Sequence, residues 1–122
     1  MLINLWKTET EFSGLPQITC RNHYVAVREI FIEWKRPAQN IVAVLSSSLV
    51  DKGPNNMYQQ LHLIHQSNRS NYYHSTPTQP IWYKIQSFDL DTAFFQIQSL
   101  DNTNLEIKRI FVQLEITDAR LQ

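Results

Sequence analysis

The sequence predicts an all-β protein: an antiparallel β-sandwich or barrel of eight or nine short strands in a single domain, 1–122. Short apolar runs bounded by turn-forming residues recur at a spacing of roughly 8–12 residues, which is typical of such folds. Amphipathic periodicity of the helical kind is hard to find. A length of 122 residues and an apolar fraction of 43% suit one core in one domain.

The N-terminal third contains three of these runs. LINLW (Leu2–Trp6) is short and apolar; it either pairs within its own sandwich or leaves a sheet edge that a partner can cover. LPQITC (Leu15–Cys20) follows the turn residue Gly14. YVAVREIFIEW (Tyr24–Trp34) alternates twice, but its apolar phase slips near Arg28–Glu29, which predicts a β-bulge or a switch between sheets.

The middle of the chain gives two strands and a loop. IVAVLSSSLV (Ile41–Val50) is apolar on both strand parities, which predicts a central strand covered on both faces. DKGPNN (Asp51–Asn56) is the strongest turn signal. MYQQLHLIHQ (Met57–Gln66) fits neither period cleanly, and its neighbours favour a strand over a helix. SNRSNYYHSTPTQP (Ser67–Pro80) predicts a long polar loop, which in a compact domain is usually functional or mobile.

The C-terminal part predicts four more strands, IWYKI (Ile81–Ile85), AFFQIQSL (Ala93–Leu100), NLEIK (Asn104–Lys108) and IFVQLEI (Ile110–Ile116). The last run alternates strictly, so Ile110 and every second residue after it should face inward, and Phe111 outward. The strand phases predict a core that contains Ile30, Ile32, Val42, Val44, Leu61, Leu63, Ile85, Phe95, Ile97, Val112 and Leu114.

Charge and cysteine content exclude several classes of protein. Lys plus Arg number 11, as do Asp plus Glu, so the formal net charge is zero. This argues against non-specific nucleic-acid binding, and the cluster Arg28, Lys35 and Arg36 is more simply a solvated face. Cys20 is the single cysteine, so an intramolecular disulfide is excluded. No run approaches the roughly 18 apolar residues of a membrane span, and the first ten residues do not resemble a signal peptide.

Catalytic and cofactor-binding motifs are missing from the sequence, including a glycine-rich nucleotide loop, G-x-S-x-G, H-E-x-x-H and C-x-x-C. His62 and His65 would point to opposite faces of a strand, which does not suit a metal site. Asp89 and Asp91 more simply organise a turn than bind calcium or transfer protons. We therefore expect no enzymatic activity, no metal and no cofactor.

Aromatic residues are the candidates for contact with a partner. Tyr72 and Tyr73 lie in the predicted loop, Trp82 begins the next strand, and Trp6 ends the first. Such side chains stack on sugar rings or anchor protein interfaces. The alternative is local packing that pins the loop to the sandwich.

A family resemblance is carried by VLSSSLVDKGPNN (Val44–Asn56), QQLHLIH (Gln59–His65) and the run from Gln79 to Ile116, QPIWYKIQSFDLDTAFFQIQSLDNTNLEIKRIFVQLEI. In this order they resemble a jelly-roll protein of Maverick/Polinton elements and related adintoviruses. The family's glycines around the last hairpin are missing here, where NTNLEIKR stands instead.

The resemblance implies a jelly-roll-like sandwich. In it Phe88 closes one end of the core, Asp89 and Asp91 organise a turn, and Asp101 and Asn102 start the final hairpin. It also implies a non-enzymatic, virus-like structural protein, such as a capsid vertex, spike or penton-type component, in a virion or at an intracellular assembly site.

The expected partners follow from this implied role. They are copies of the chain itself, most simply in a trimer, and other capsid-type proteins. Trp6, Tyr72 and Tyr73 are the candidate contacts between copies. The alternative from another class is a β-sandwich module that binds a carbohydrate or a receptor through the region Tyr72–Tyr83.

Overall fold

The all-β expectation is confirmed. The computed structural model describes residues 2–7, 19–20, 23–50, 60–85, 88–89 and 93–118, and within these ranges it contains strands and no helix. The strands are β1 (Leu2–Lys7), β2 (Thr19–Cys20), β3 (Tyr24–Ala38), β4 (Ile41–Ser47), β5 (Gln60–Gln66), β6 (Ser70–Ser75), β7 (Tyr83–Lys84), β8 (Phe88–Asp89), β9 (Phe95–Ser99) and β10 (Ile107–Thr117).

The strands form a jelly-roll-like β-sandwich. The larger sheet has the order β1-β10-β3-β6, with β7 also paired to β3; the smaller sheet has the order β5-β4-β9, and β2 pairs with β8. The antiparallel pairs are nested along the chain: β1 with β10, β2 with β8, β3 with β6 and β4 with β5. This is the pattern of one long hairpin rolled into two layers, and the pairs β3–β10 and β4–β9 complete the sheets.

The predicted phase slip in β3 is a β-bulge. Glu29 pairs with Gln113 of β10, but the next partner, Leu114, pairs with Val27, so Arg28 is the extra residue on β3. Because a bulge shifts the side-chain alternation by one residue, both phases of the strand face the core. Val27 on one side of the bulge and Ile30 on the other are therefore both buried.

Most of the predicted core is buried between the sheets, and two positions differ. Val42 is only half-buried. Leu63 is 50% exposed, whereas Leu61 and Ile64 are buried. The cause is a register shift in β5, where His62 and Gln60 pair with adjacent residues of β4 and Leu61 is skipped. Simple alternation predicted that Leu61 and Leu63 would share a face. The register shift places them on different faces instead.

The predicted loop Ser67–Pro80 is wrong, because it contains the strand β6, which pairs with β3. Its polar residues suit an edge strand, whose composition resembles that of a loop. The two runs Asn104–Lys108 and Ile110–Ile116 also do not form separate strands: β10 is one strand from Ile107 to Thr117.

The turn at Asp101 and Asn102 is present, but it does not start a hairpin, because β9 and β10 belong to different sheets. Ser99 Oγ donates to Asp101 Oδ1 at 2.7 Å, and the Thr103 amide donates to the same oxygen at 3.1 Å. The bonds from Thr103 and Ser99 lower the pKa of the Asp101 carboxyl. Asn102 has a φ of 62°, in the left-handed region that Asn tolerates.

Some predicted features lie outside the described residues. They are the turn Asp51–Asn56, the start of the Met57–Gln66 run up to residue 59, Asp91, and the side chains of Cys20, Phe88 and Asp89.

Candidate interaction face

A row of aromatic residues crosses the outer face of the larger sheet, at right angles to its strands. Trp6 of β1 pairs with Phe111 of β10, Phe111 pairs with Phe31 of β3, and Phe31 pairs with His74 of β6. Cross-strand partners point to the same side of a sheet, so these four side chains are neighbours. We call them the aromatic row, and the outward side of the sheet the outer face.

Ring contacts within and beside the aromatic row are close. The Trp6 and Phe111 ring centroids are 4.5 Å apart, and those of Phe31 and His74 are 6.2 Å apart. Tyr72, on the same face of β6, lies 5.5 Å from Phe31. Trp6 is 65% exposed and Tyr72 is 50% exposed, so much of this aromatic surface is open to solvent.

Charged and amide side chains flank the aromatic row on both sides. On one side Arg109 contacts Glu33 at 2.7 Å, and Lys108 approaches the same carboxylate at 3.7 Å. On the other side the Gln113 amide donates to Asn4 Oδ1 at 3.1 Å. Each aromatic side chain is thus bordered by polar partners, as at the rim of a protein interface.

The polar side that bears Gln113 also carries ion pairs between neighbouring strands. Glu29 contacts His74 at 2.7 Å, and Glu115 contacts Arg28 at 3.4 Å. Beyond the opposite side, a shallow groove of about 630 Å³ is lined by Trp6, Lys7, Lys108 and Arg109. The outer face therefore carries acidic and basic groups in alternation around an apolar centre.

Of the four site residues predicted from the sequence, Trp6 and Tyr72 lie on the outer face, and Tyr73 does not. Tyr73 points inward from β6, and its hydroxyl shares a 3.0 Å hydrogen bond with Nε2 of His62 on the smaller sheet. Burial raises the pKa of Tyr73 and lowers the pKa of His62. Tyr73 thus joins the two layers of the sandwich and is not available as a surface anchor.

Trp82 is half-buried next to β7, which pairs with the Tyr24 end of β3. Nearby, a cleft of about 400 Å³ opens between β5 and the segment before β7. Leu63 and Ile81 line this cleft and are 50% and 67% exposed.

Phe31, Phe111 and His74 are members of the face that were not predicted as site residues. Strand alternation could have indicated Phe31, because Ile30 and Ile32 on either side of it are buried. Alternation alone does not reveal that Phe31 pairs with Phe111, since cross-strand register is a property of the folded sheet.

No group of three or more His, Cys, Asp and Glu side chains in the described ranges could hold a metal ion. No helix in the same ranges is long and apolar enough to cross a membrane.

No protein-family model matches the chain, and no curated protein is significantly similar to it. Function is therefore inferred from the geometry of the outer face.

Proposed function

We propose that this chain is a non-enzymatic structural protein that assembles with copies of itself through the outer face of its larger sheet. The aromatic row carries the proposal. Trp and Phe are enriched where protein surfaces meet and dominate the energetics of interfaces. In this chain they are aligned on the outer side of the sheet, away from the core that the two sheets enclose.

Burial of these rings would release substantial free energy. A single aromatic side chain buries on the order of 150–250 Å², and each Å² of apolar surface is worth about 25 cal/mol. Trp6 and Tyr72 retain at least half of their surface for this purpose. Zero formal net charge supports association further, because no global repulsion separates the copies.

The role is of the capsid type that the resemblance implies: a component of a virus-like particle, with other capsid-type proteins as further partners. Jelly-roll sandwiches occur in viral capsids. The resemblance by itself implies a trimer, whereas the strand register of the outer face favours a pair of copies. The protein would act in a virion or at an intracellular assembly site.

Sedimentation equilibrium at micromolar concentrations tests self-association. We expect the mass of the wild-type protein to exceed the 14.4 kDa of one chain. The variants Trp6→Ala and Tyr72→Ala should each weaken self-association at least tenfold. Leu63→Ala is the matched control, because Leu63 is as exposed as Tyr72 but lies on the smaller sheet. A monomer mass for wild type throughout the range would overturn the proposal.

The second candidate is carbohydrate binding on the same face. It is favoured by the Asn4 and Gln113 amides beside the exposed Trp6, since sugars stack on aromatic rings and form hydrogen bonds with amides. A glycan array with wild type and Trp6→Ala tests it. Binding that is lost in the variant, by a protein that stays monomeric, would favour this candidate over assembly.

A further inference from the structure

We propose that the outer face binds the same face of a second copy about a two-fold axis. This axis lies in the plane of the contact, runs parallel to β3 and β10, and passes over the line midway between them. The inference rests on the proposed self-association and specifies its partner surface and orientation. A two-fold contact is isologous, so each residue pair occurs twice and the contact closes at two copies.

The register of the two central strands makes the face self-complementary. A rotation about this axis exchanges the positions of β3 and β10, so every outward residue of β10 lies over its own registered partner on β3 of the other copy. Phe111 and Phe31 are such partners. At the centre, Phe111 of each copy therefore meets Phe31 of the other, and aromatic pairs of this kind add about 0.5–1.5 kcal/mol beyond area burial.

The charged side chains follow the same rule. Arg109 lies over Glu33 of the other copy, because the two residues are neighbours within each copy at 2.7 Å. A guanidinium has five N–H donors, so Arg109 can bind both carboxylates. At the end of the face, Glu115 comes within reach of Arg28 of the other copy in the same way, since these two residues also contact each other within one copy.

The pair Gln113 and Glu29 distinguishes this axis from the other in-plane axis, which runs along the aromatic row. With the proposed axis, the Gln113 amide lies over the Glu29 carboxylate of the other copy, because these residues are also in register. An axis along the aromatic row would instead place Glu29 over Glu33, two carboxylates that repel each other. Charge complementarity therefore favours the axis parallel to the strands.

The ends and the size of the contact are consistent with a specific but weak dimer. Trp6 at one edge of the sheet lies over His74 of the other copy, with Tyr72 beside it. Four strands about 4.8 Å apart and about eight residues long cover roughly 500 Å² on each copy. Roughly 1,000 Å² in total is at the lower end of specific interfaces, so we expect dissociation in the micromolar range.

Charge reversal with mixing tests the axis. Arg109→Glu and Glu33→Arg are each expected to repel their own copies and to weaken self-association at least tenfold. An equimolar mixture of the two variants should restore a species of twice 14.4 kDa, because each charge then meets its opposite on the other chain. The broken pair within each chain persists in the mixture, so recovery reports the contact between chains.

Two further variants complete the experiment. Arg36→Glu is the control, since Arg36 forms a comparable exposed ion pair, with Glu106 at 3.1 Å, at the end of β3; it should leave the dimer intact. Gln113→Arg should tighten association severalfold, because the new guanidinium would face the Glu29 carboxylate of the other copy. Thermal melts check that each variant is folded.

The outcomes separate the two proposals. Wild-type oligomers together with a mixture that stays monomeric would overturn the two-fold axis and leave self-association standing. A wild-type trimer would also overturn the two-fold axis and leave self-association standing. A wild type that is monomeric throughout would overturn self-association itself.

Discussion

Trp34 on the larger sheet and Gln66 on the smaller sheet are joined by a buried hydrogen bond, in which Trp34 Nε1 donates to Gln66 Oε1 at 3.0 Å. The Gln66 amide in turn donates to the Ala38 carbonyl at 2.6 Å. Trp34 is 3% exposed and Gln66 is 8% exposed. One side chain thus satisfies polar groups at two points of β3 and links the two layers of the sandwich.

Gln66→Leu should destabilise the protein by about 1–3 kcal/mol, because the substitution leaves the buried Trp34 N–H without its acceptor. The change keeps a similar volume, so the loss would come mainly from the hydrogen bonds. Urea unfolding of wild type and variant measures it. Gln39→Leu is the control, since Gln39 is exposed; equal stabilities for the two variants would contradict the role of Gln66.

Phe95→Ala should cost about 3–5 kcal/mol, because a buried ring would be replaced by a cavity. Phe95 is 0% exposed, whereas its neighbour Phe94 is 47% exposed. Phe94→Ala is therefore a matched control and should cost less than about 1 kcal/mol. Urea melts that give the two variants similar losses would show that the phase of β9 differs from the structure.

Stability should fall as the pH drops below about 6.5, in part through His62. Burial lowers the pKa of folded His62 below its ordinary value of 6.5. Below that value the unfolded chain binds more protons than the folded chain, so the free energy of unfolding decreases until the pH reaches the folded pKa. Above pH 6.5 both states are neutral and the contribution is constant.

Thermal melts of wild type and His62→Gln between pH 5 and 8 measure this contribution. The variant should show a smaller decrease in Tm below pH 6.5. His65→Gln on the same strand is the control, because His65 is exposed, and it should retain the wild-type slope. An unchanged slope in His62→Gln would exclude His62 as the source.

Local patterns in the sequence predicted the strands whose pattern is strong. In β10 the alternation from Ile110 to Ile116 specified which residues face the core, and in β3 the phase slip near Arg28 predicted the bulge. Both signals depend on residues within one strand, because side chains alternate with a period of two. The same rule failed at Leu63, because the register shift in β5 changes the phase there. The run Met57–Gln66 fits neither period cleanly, but this irregularity does not show where the shift lies.

The candidate site could be predicted only in part. Exposed aromatic residues indicated Trp6 and Tyr72, but the sequence grouped Tyr72 with Tyr73, and the strand β6 separates them onto opposite faces. The pairing of β6 with β3 could not be predicted from the sequence. A polar edge strand resembles a loop, and its partner is distant in the chain.

The sequence by itself determined the all-β class and the inward face of the strongly alternating strands, because each depends on composition or on the period of one segment. The tertiary structure alone decided which strands are neighbours and in what register. That register aligns Trp6, Phe111 and Phe31 and brings Gln66 to Trp34. Its physical basis is the packing of two sheets around one core, which joins residues that no local pattern connects.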